Sequence, residues 1–138
     1  MYYIKPIMKN NIFKLLEYLY YFSLATLFII YLFPGSLIGY FLYENLAQQP
    51  DLIPNPIGTS INHLISFICL SSLAFIVRMQ RKNFINSFHF LIFISILLEI
   101  LHYFIPNRAF EYYDLFANFI GVIFAYIFIQ LILKIKTR

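Results

Sequence analysis

Charge is scarce in this chain, and the little there is avoids the middle of the apolar runs. Only 12% of the 138 residues are charged, 62% are hydrophobic, and the mean hydropathy is +0.77. Soluble domains carry about a quarter charged residues. This composition therefore excludes a water-soluble globular protein and places the chain in a membrane. Cysteine is almost lacking: Cys69 stands alone, which excludes an internal disulfide. No base flanks Cys69 to activate it, so it reads as a packed core residue. No serine elbow motif, internal repeat, low-complexity tract or second domain is present, and residues 1–138 read as one transmembrane domain. The net charge of +4 comes from bases at the ends of apolar segments, which is a topology signal and gives no reason to expect nucleic acid. The 21% aromatic content accompanies abundant Ile, Lys and Asn, as in an AT-rich genome, and is not read as a stacking platform.

What is present is a series of apolar segments. Lys5, Lys9 and Lys14 precede a first run over about 15–33. That run exceeds the roughly 7–15 residues of a signal-peptide core and ends in no small-x-small cleavage site, so it is read as a retained span. Glu17 sits at its edge, within reach of headgroups or Lys14. Pro34-Gly35 closes the span. The following connection, 36–60, starts with an apolar stretch fit for a short interfacial helix. Pro50, Pro54 and Pro56 then forbid a continuous one. Further spans are expected over about 62–77, 84–105 and 112–133, with a compact basic turn, Arg78 to Asn83, between the second and third. The fold class is thus all-α, a polytopic membrane protein of four transmembrane helices with a short interfacial segment after the first. Bases cluster before the first span, at 78–83 and at Lys134, Lys136 and Arg138. The positive-inside rule then puts both termini in the cytoplasm and the 34–61 and 106–111 connections outside.

One stretch breaks the apolar pattern. Residues 99–121 contain Glu99, His102, Arg108, Glu111, Asp114 and Asn118. Glu99 lies about 10 Å below the outer end of the third span, counting back from Pro106 at ~1.5 Å per residue. His102 lies one turn nearer the surface on the same face. Asp114, Asn118, Gly121 and Ala125 form one helical stripe, whose small members Gly121 and Ala125 suit close helix packing. His63 opens the second span at the same side. His63, Glu99, His102, Arg108, Asp114 and Asn118 thus fall at one leaflet, and ionisable groups there mark a site by default. A structural role competes: Asp114 as a helix cap, Asn118 as a bridge between helices, Arg108 as an ion-pair partner of Glu99, Glu111 or Asp114. His63, Glu99, His102 and Asp114 are acceptable metal ligands, but their spacing matches no strong motif and Arg108 opposes a cation. No metal and no cofactor is expected. His89 is placed in the middle of the third span as a core or headgroup-network residue.

The same stretch resembles the signature of the VanZ-like family of small bacterial membrane proteins. That pattern runs Glu-x-x-Gln-x-Phe-x-Pro-x-Arg, then Asp, Asn and Gly. Glu99, Phe104, Pro106, Arg108, Asp114, Asn118 and Gly121 fall in register, with His102 at the family's Gln. Upstream, where the family has Asp-Lys-x-x-His-Phe, this chain reads Thr59-Ser60-Ile61-Asn62-His63-Leu64, and only His63 matches. The resemblance covers about 59–125. It implies an integral protein of the bacterial plasma membrane with a cell-envelope-related role, and no particular reaction. Glycopeptide resistance, for which the family is named, is not carried over.

Three functions remain open from sequence. One is a binding or shielding protein whose outer pocket, with Arg108, Asp114, Asn118, Glu99, His102 and His63, meets an anionic lipid-linked or surface component. Another is an enzyme on a lipid headgroup or polyprenyl carrier, with Glu99 or Asp114 as base and His102 or His63 as proton shuttle. The last is an assembly subunit whose Gly121–Ala125 stripe docks a partner membrane protein. Membrane lipids are the expected surroundings in every case.

Overall fold

The computed structural model describes residues 10–50 and 58–136, and it is helical with no strand among them. Five α-helices occur: α1 (Asn10–Leu32), α2 (Leu37–Tyr43), α3 (Ser60–Arg78), α4 (Phe88–Leu101) and α5 (Tyr112–Lys136). A 3-10 turn, His102–Phe104, extends α4. The helices α1, α3 and α5 are long and apolar enough to cross a membrane, and Phe88–Phe104 is a shorter apolar segment. The chain is therefore a membrane protein. Lys5, Lys9, Asp51, Pro54, Pro56 and Arg138 lie outside the described residues.

Local chemistry explains each break. After α1, Gly35 takes a left-handed conformation at φ +90°, which an L side chain resists. Ser36 then caps α2 by accepting the Gly39 N–H at 2.9 Å, and its own N–H donates to the Leu46 carbonyl at 2.7 Å. The short helix expected after the first span is thus Leu37–Tyr43, with Tyr40, Phe41, Leu42 and Tyr43 exposed along it. At Gly39 a Cβ would overlap the Gln48 carbonyl, so only glycine lets the 45–48 turn close over α2.

The third apolar segment begins at Phe88, not near residue 84. Asn86 holds the preceding turn by donating to the Arg81 carbonyl and accepting from the Asn83 N–H. Ser87 then caps α4. This moves His89 from mid-span to the second residue of α4, where it is exposed. At the other end, the 3-10 turn and the left-handed Asn107 (φ 58°) form a tight hairpin into α5.

The helices run alternately up and down. Tyr31 near the end of α1 meets the start of α3 at His63, while Tyr20 hydrogen-bonds the Ile85 carbonyl just before α4. Glu17 pairs with Arg81 across the same end at 2.7 Å, instead of with Lys14. Neighbouring contributions to the core come from Tyr20, Leu24, Leu27 and Tyr31 on α1, and Phe67, Leu70 and Ala74 on α3. Leu91, Ile94 and Leu98 on α4, with Val122, Ala125 and Ile129 on α5, complete it. Their three- and four-residue spacing is one face of each helix. Large apolar residues such as Phe22, Phe93, Phe116 and Phe124 point outward, as lipid contact requires. Cys69 is on that outer surface and not in the core, because the buried face of α3 runs through Phe67, Leu70 and Ala74.

The helix α3 is the central one: Ser60, His63, Phe67, Leu70, Ser71, Ala74, Phe75 and Val77 along it are buried, against Tyr20, Leu24, Leu27 and Tyr31 on the longer α1. Its approach to α5 is set by Gly121, where a Cβ would lie 2.8 Å from the Leu64 carbonyl oxygen and 2.9 Å from the Phe67 Cβ. Ala125, one turn on, is 1% exposed. The small-residue stripe is therefore taken up by α3 of the same chain. Gly121→Val should force these backbones apart and destabilise the fold by about 1–3 kcal/mol. A thermal unfolding curve in detergent will show a lower midpoint than for the parent chain.

Candidate functional site

At the end of the bundle where α1 stops and α3 starts, four helices contribute polar side chains to one interior cluster. His63, Glu99, His102, Asp114 and Asn118 are all buried, and Glu99 and Asn118 are 0% exposed. The stretch from Glu99 to Asn118 reverses direction through the tight hairpin, which turns the end of α4 and the start of α5 toward the same interior.

Tyr31 joins the parts. Its hydroxyl lies 3.0 Å from His63 Nδ1 and 3.1 Å from Asn118 Oδ1. The Asn118 amide nitrogen donates to the Ser95 carbonyl at 3.4 Å, which turns Oδ1 toward Tyr31. An amide oxygen only accepts, so the Tyr31 proton goes to Asn118 and the Tyr31 oxygen accepts from His63 Nδ1–H. With Nδ1 protonated, the neutral ring has its lone pair on Nε2. Facing Nε2 at 3.3 Å is Asp114 Oδ2. The other Asp114 oxygen accepts the Ser60 hydroxyl at 2.5 Å. Asp114 therefore ties α5 to α3 instead of only capping its own helix.

His102 is fixed from both sides. Its Nε2 donates to the Tyr31 carbonyl at 3.1 Å, and its Nδ1 lies 3.3 Å from Glu99 Oε1. The same Glu99 oxygen accepts the Glu111 backbone N–H at 3.0 Å. Glu99 Oε2 has no hydrogen-bond partner among the described residues, and it lies 3.9 Å from His63 Nδ1. A buried acceptor without a donor is costly in an apolar phase.

Arg108 does not form the expected ion pair with Glu99, Glu111 or Asp114. It turns to the end of α1 instead, donating through Nη2 to the Ile30 carbonyl at 2.7 Å and through Nε to the Phe33 carbonyl at 3.4 Å. These are carbonyls that a helix end leaves without partners. A further bond goes from Nη1 to Gln49 Oε1 at 3.4 Å. Three of the five guanidinium donors are thus used. Burial lowers the Arg108 pKa, and Tyr31, Glu99 and Asp114 counter that effect. In the same hairpin Glu111 is shifted upward, first by desolvation and then by the negative charges of Asp114 and Glu99.

Two cavities meet here. One, of about 280 Å³, is largely apolar and runs between α1 and α3 past Phe22, Leu27, Ile30 and Leu70. The other, of about 290 Å³, is polar and is lined by Thr59, His102, Asn107, Glu111 and Asp114 among others. Ser36, Gln49, His63 and Arg108 line both.

All six polar residues expected from sequence thus gather at this end of the bundle. Sequence reasoning missed Tyr31, Ser60, Gln49 and Ser95. Tyr31 sat unnoticed in an apolar run rich in aromatics. Its signal was the spacing Tyr20, Leu24, Leu27, Tyr31, which puts a hydroxyl on the buried face of α1. Ser60 and Gln49 carried no local signal, and Ser95 acts only through its backbone.

Removing the Tyr31 hydroxyl leaves His63 Nδ1–H and Asn118 Oδ1 unpaired. Tyr31→Phe is expected to cost about 1–3 kcal/mol, read as a fall in the detergent melting midpoint. Tyr18→Phe, on an exposed hydroxyl of the same helix, should leave the midpoint unchanged.

A family model described as VanZ/LLP1 matches residues 18–133 of this chain. No curated protein and no solved structure matches it.

Proposed function

The chain belongs to the VanZ/LLP1 family, and from that premise we propose that it is a cell-envelope protein of the bacterial plasma membrane that binds or shields an anionic lipid-linked component. In this reading Phe88–Phe104 crosses the bilayer as the shorter of four spans, thinning it locally or leaning on its neighbours. The bases Lys14, Arg78, Arg81, Lys82 and Lys134 lie at one end and Arg108 at the other. The positive-inside rule then sets both termini in the cytoplasm and the polar cluster toward the outside.

The observation that carries the reading is the meeting of the two cavities. An amphipathic lipid needs an apolar slot for its chain and a polar chamber for its headgroup, joined at a donor. The α1–α3 slot and the Asp114 chamber supply these, and Arg108 with Gln49 stands where they join. The two guanidinium donors not bonded to α1 or Gln49 are available to a phosphate oxygen.

The polar chamber also favours an enzymatic reading on a specific ground. His63 Nε2 and Asp114 Oδ2, 3.3 Å apart, form an acid–base pair beside the same cavity. An assembly role through Gly121 and Ala125 is disfavoured, since α3 already covers them.

Native mass spectrometry of the full chain, incubated with equal amounts of phosphatidylglycerol, undecaprenyl phosphate and phosphatidylcholine, tests the binding reading. The anionic lipids should be retained about tenfold more than phosphatidylcholine, a difference of ~1.4 kcal/mol. Gln49→Ala and Arg108→Ala should erase the preference, and Arg108→Lys should keep part of it. Equal retention of all three lipids by the unaltered chain would sink the proposal. Topology is checked separately with single cysteines in a Cys69→Ser background. Position 109 should react with an impermeant thiol reagent in intact cells, and position 82 only after lysis.

A further inference from the structure

We infer that His63, Glu99 and Asp114 form a binding site for one divalent first-row transition-metal cation. One nitrogen of His63 and one oxygen from each carboxylate lie within 4.8 Å of one another, and all three residues are buried. The separation of His63 Nε2 from Asp114 Oδ2 is 3.3 Å. Two donors on a tetrahedral ion with bonds near 2.0 Å are also roughly 3.3 Å apart.

Proximity alone would not make a site. The hydrogen bonding adds an independent reason. The Ser95–Asn118–Tyr31 chain leaves the lone pair of His63 on Nε2, facing a carboxylate oxygen. Glu99 Oε2, on a side chain that is 0% exposed, lies 3.9 Å from His63 Nδ1, the nitrogen bonded to Tyr31, and has no hydrogen-bond donor among the described residues. Three acceptor groups therefore lie close together, and either a shared proton or a bound cation makes the contact attractive; metal titration distinguishes the two. Gln49 Nε2 reaches His63 Nε2 at 3.5 Å, the limit of a hydrogen bond, and does not reach either carboxylate with one.

The outer atoms of each candidate ligand are already held. Tyr31 accepts from His63 Nδ1–H, Ser60 donates to Asp114 Oδ1, and Glu111 N–H donates to Glu99 Oε1, which also faces His102. Metal ligands are oriented by this kind of second set of contacts. Arg108, whose charge would oppose a cation, is drawn off to the carbonyls of Ile30 and Phe33. An imidazole with two carboxylates favours a first-row transition ion over Mg²⁺ or Ca²⁺. Such an ion would also cancel the negative field of Glu99 and Asp114, so that an anionic headgroup could share the chamber. The site deepens the lipid-binding reading but stands without it, because its test contains no lipid.

The test uses the full chain in detergent, stripped with a chelator and titrated with Zn²⁺, Mn²⁺ and Mg²⁺ by calorimetry. One Zn²⁺ or Mn²⁺ per chain is expected, with weaker binding of Mg²⁺. Asp114→Asn and Glu99→Gln should each weaken binding by at least about tenfold, and Tyr31→Phe by about tenfold through the lost contact to His63. Should those variants fail to fold, the unaltered chain loaded with Cu²⁺ gives a second readout. Its electron paramagnetic resonance spectrum should carry nitrogen hyperfine splitting from one imidazole. Absence of stoichiometric binding for all three ions, or a copper spectrum without nitrogen coupling, would overturn the inference. Neither result would bear on anionic-lipid retention, which is measured on its own.

Discussion

A buried hydroxyl on α1 holds the polar end of this bundle together. Tyr31 accepts from His63 on α3 and donates to Asn118 on α5, while its backbone carbonyl accepts a hydrogen bond from His102 at the end of α4. Tyr31 and Asn118 are buried, and a buried polar group that loses its partner is costly. Each of these groups is therefore tied to the position of the others. Moving one helix along its axis would strand donors or acceptors on the remaining ones. The register of four helices is in this sense set by one residue, through its hydroxyl and its backbone carbonyl.

That constraint explains why the arrangement is asymmetric along the bundle. At the opposite end the ion pair of Arg81 with Glu17 has an exposed guanidinium, and the buried Tyr20 and Asn86 bond the backbone carbonyls of Ile85 and Arg81. Exposed ion pairs of this kind contribute little to stability. At the Tyr31 end the groups are ionisable and enclosed, and Gly121 brings α5 close enough to α3 for Asp114 to meet both Ser60 and His63. Packing and polar geometry are two aspects of one approach between these helices.

Arg108 shows how a surrounding can redirect a charge. In sequence it stands between three carboxylates, and electrostatics alone would pair it with one of them. In the fold it completes the carbonyls at the end of α1 and keeps a side toward both cavities. A helix end that closes inside a bundle needs donors, and the hairpin places this guanidinium where those carbonyls emerge. The carboxylates are left to His63, His102 and Ser60. The acidic part of the chamber and its one arginine are consequently separate features, and a ligand would meet them as such.

The sequence by itself determined the membrane setting, the helical class, the rough extent of the apolar segments, and the fact that residues 99–121 are polar where the rest is not. These follow from composition and periodicity, which act locally and need no partner. The family signature was legible too, because Glu99, Pro106, Arg108, Asp114, Asn118 and Gly121 are close in the chain. Only the tertiary structure decided which donor meets which acceptor. Tyr31 and Asn118 are 87 residues apart and Ser60 and Asp114 are 54 apart, so no local pattern links them. The same holds for Cys69 and His89: their place inside or outside depends on which helix face is covered and where a serine caps, and both are set by neighbours that the linear pattern does not show.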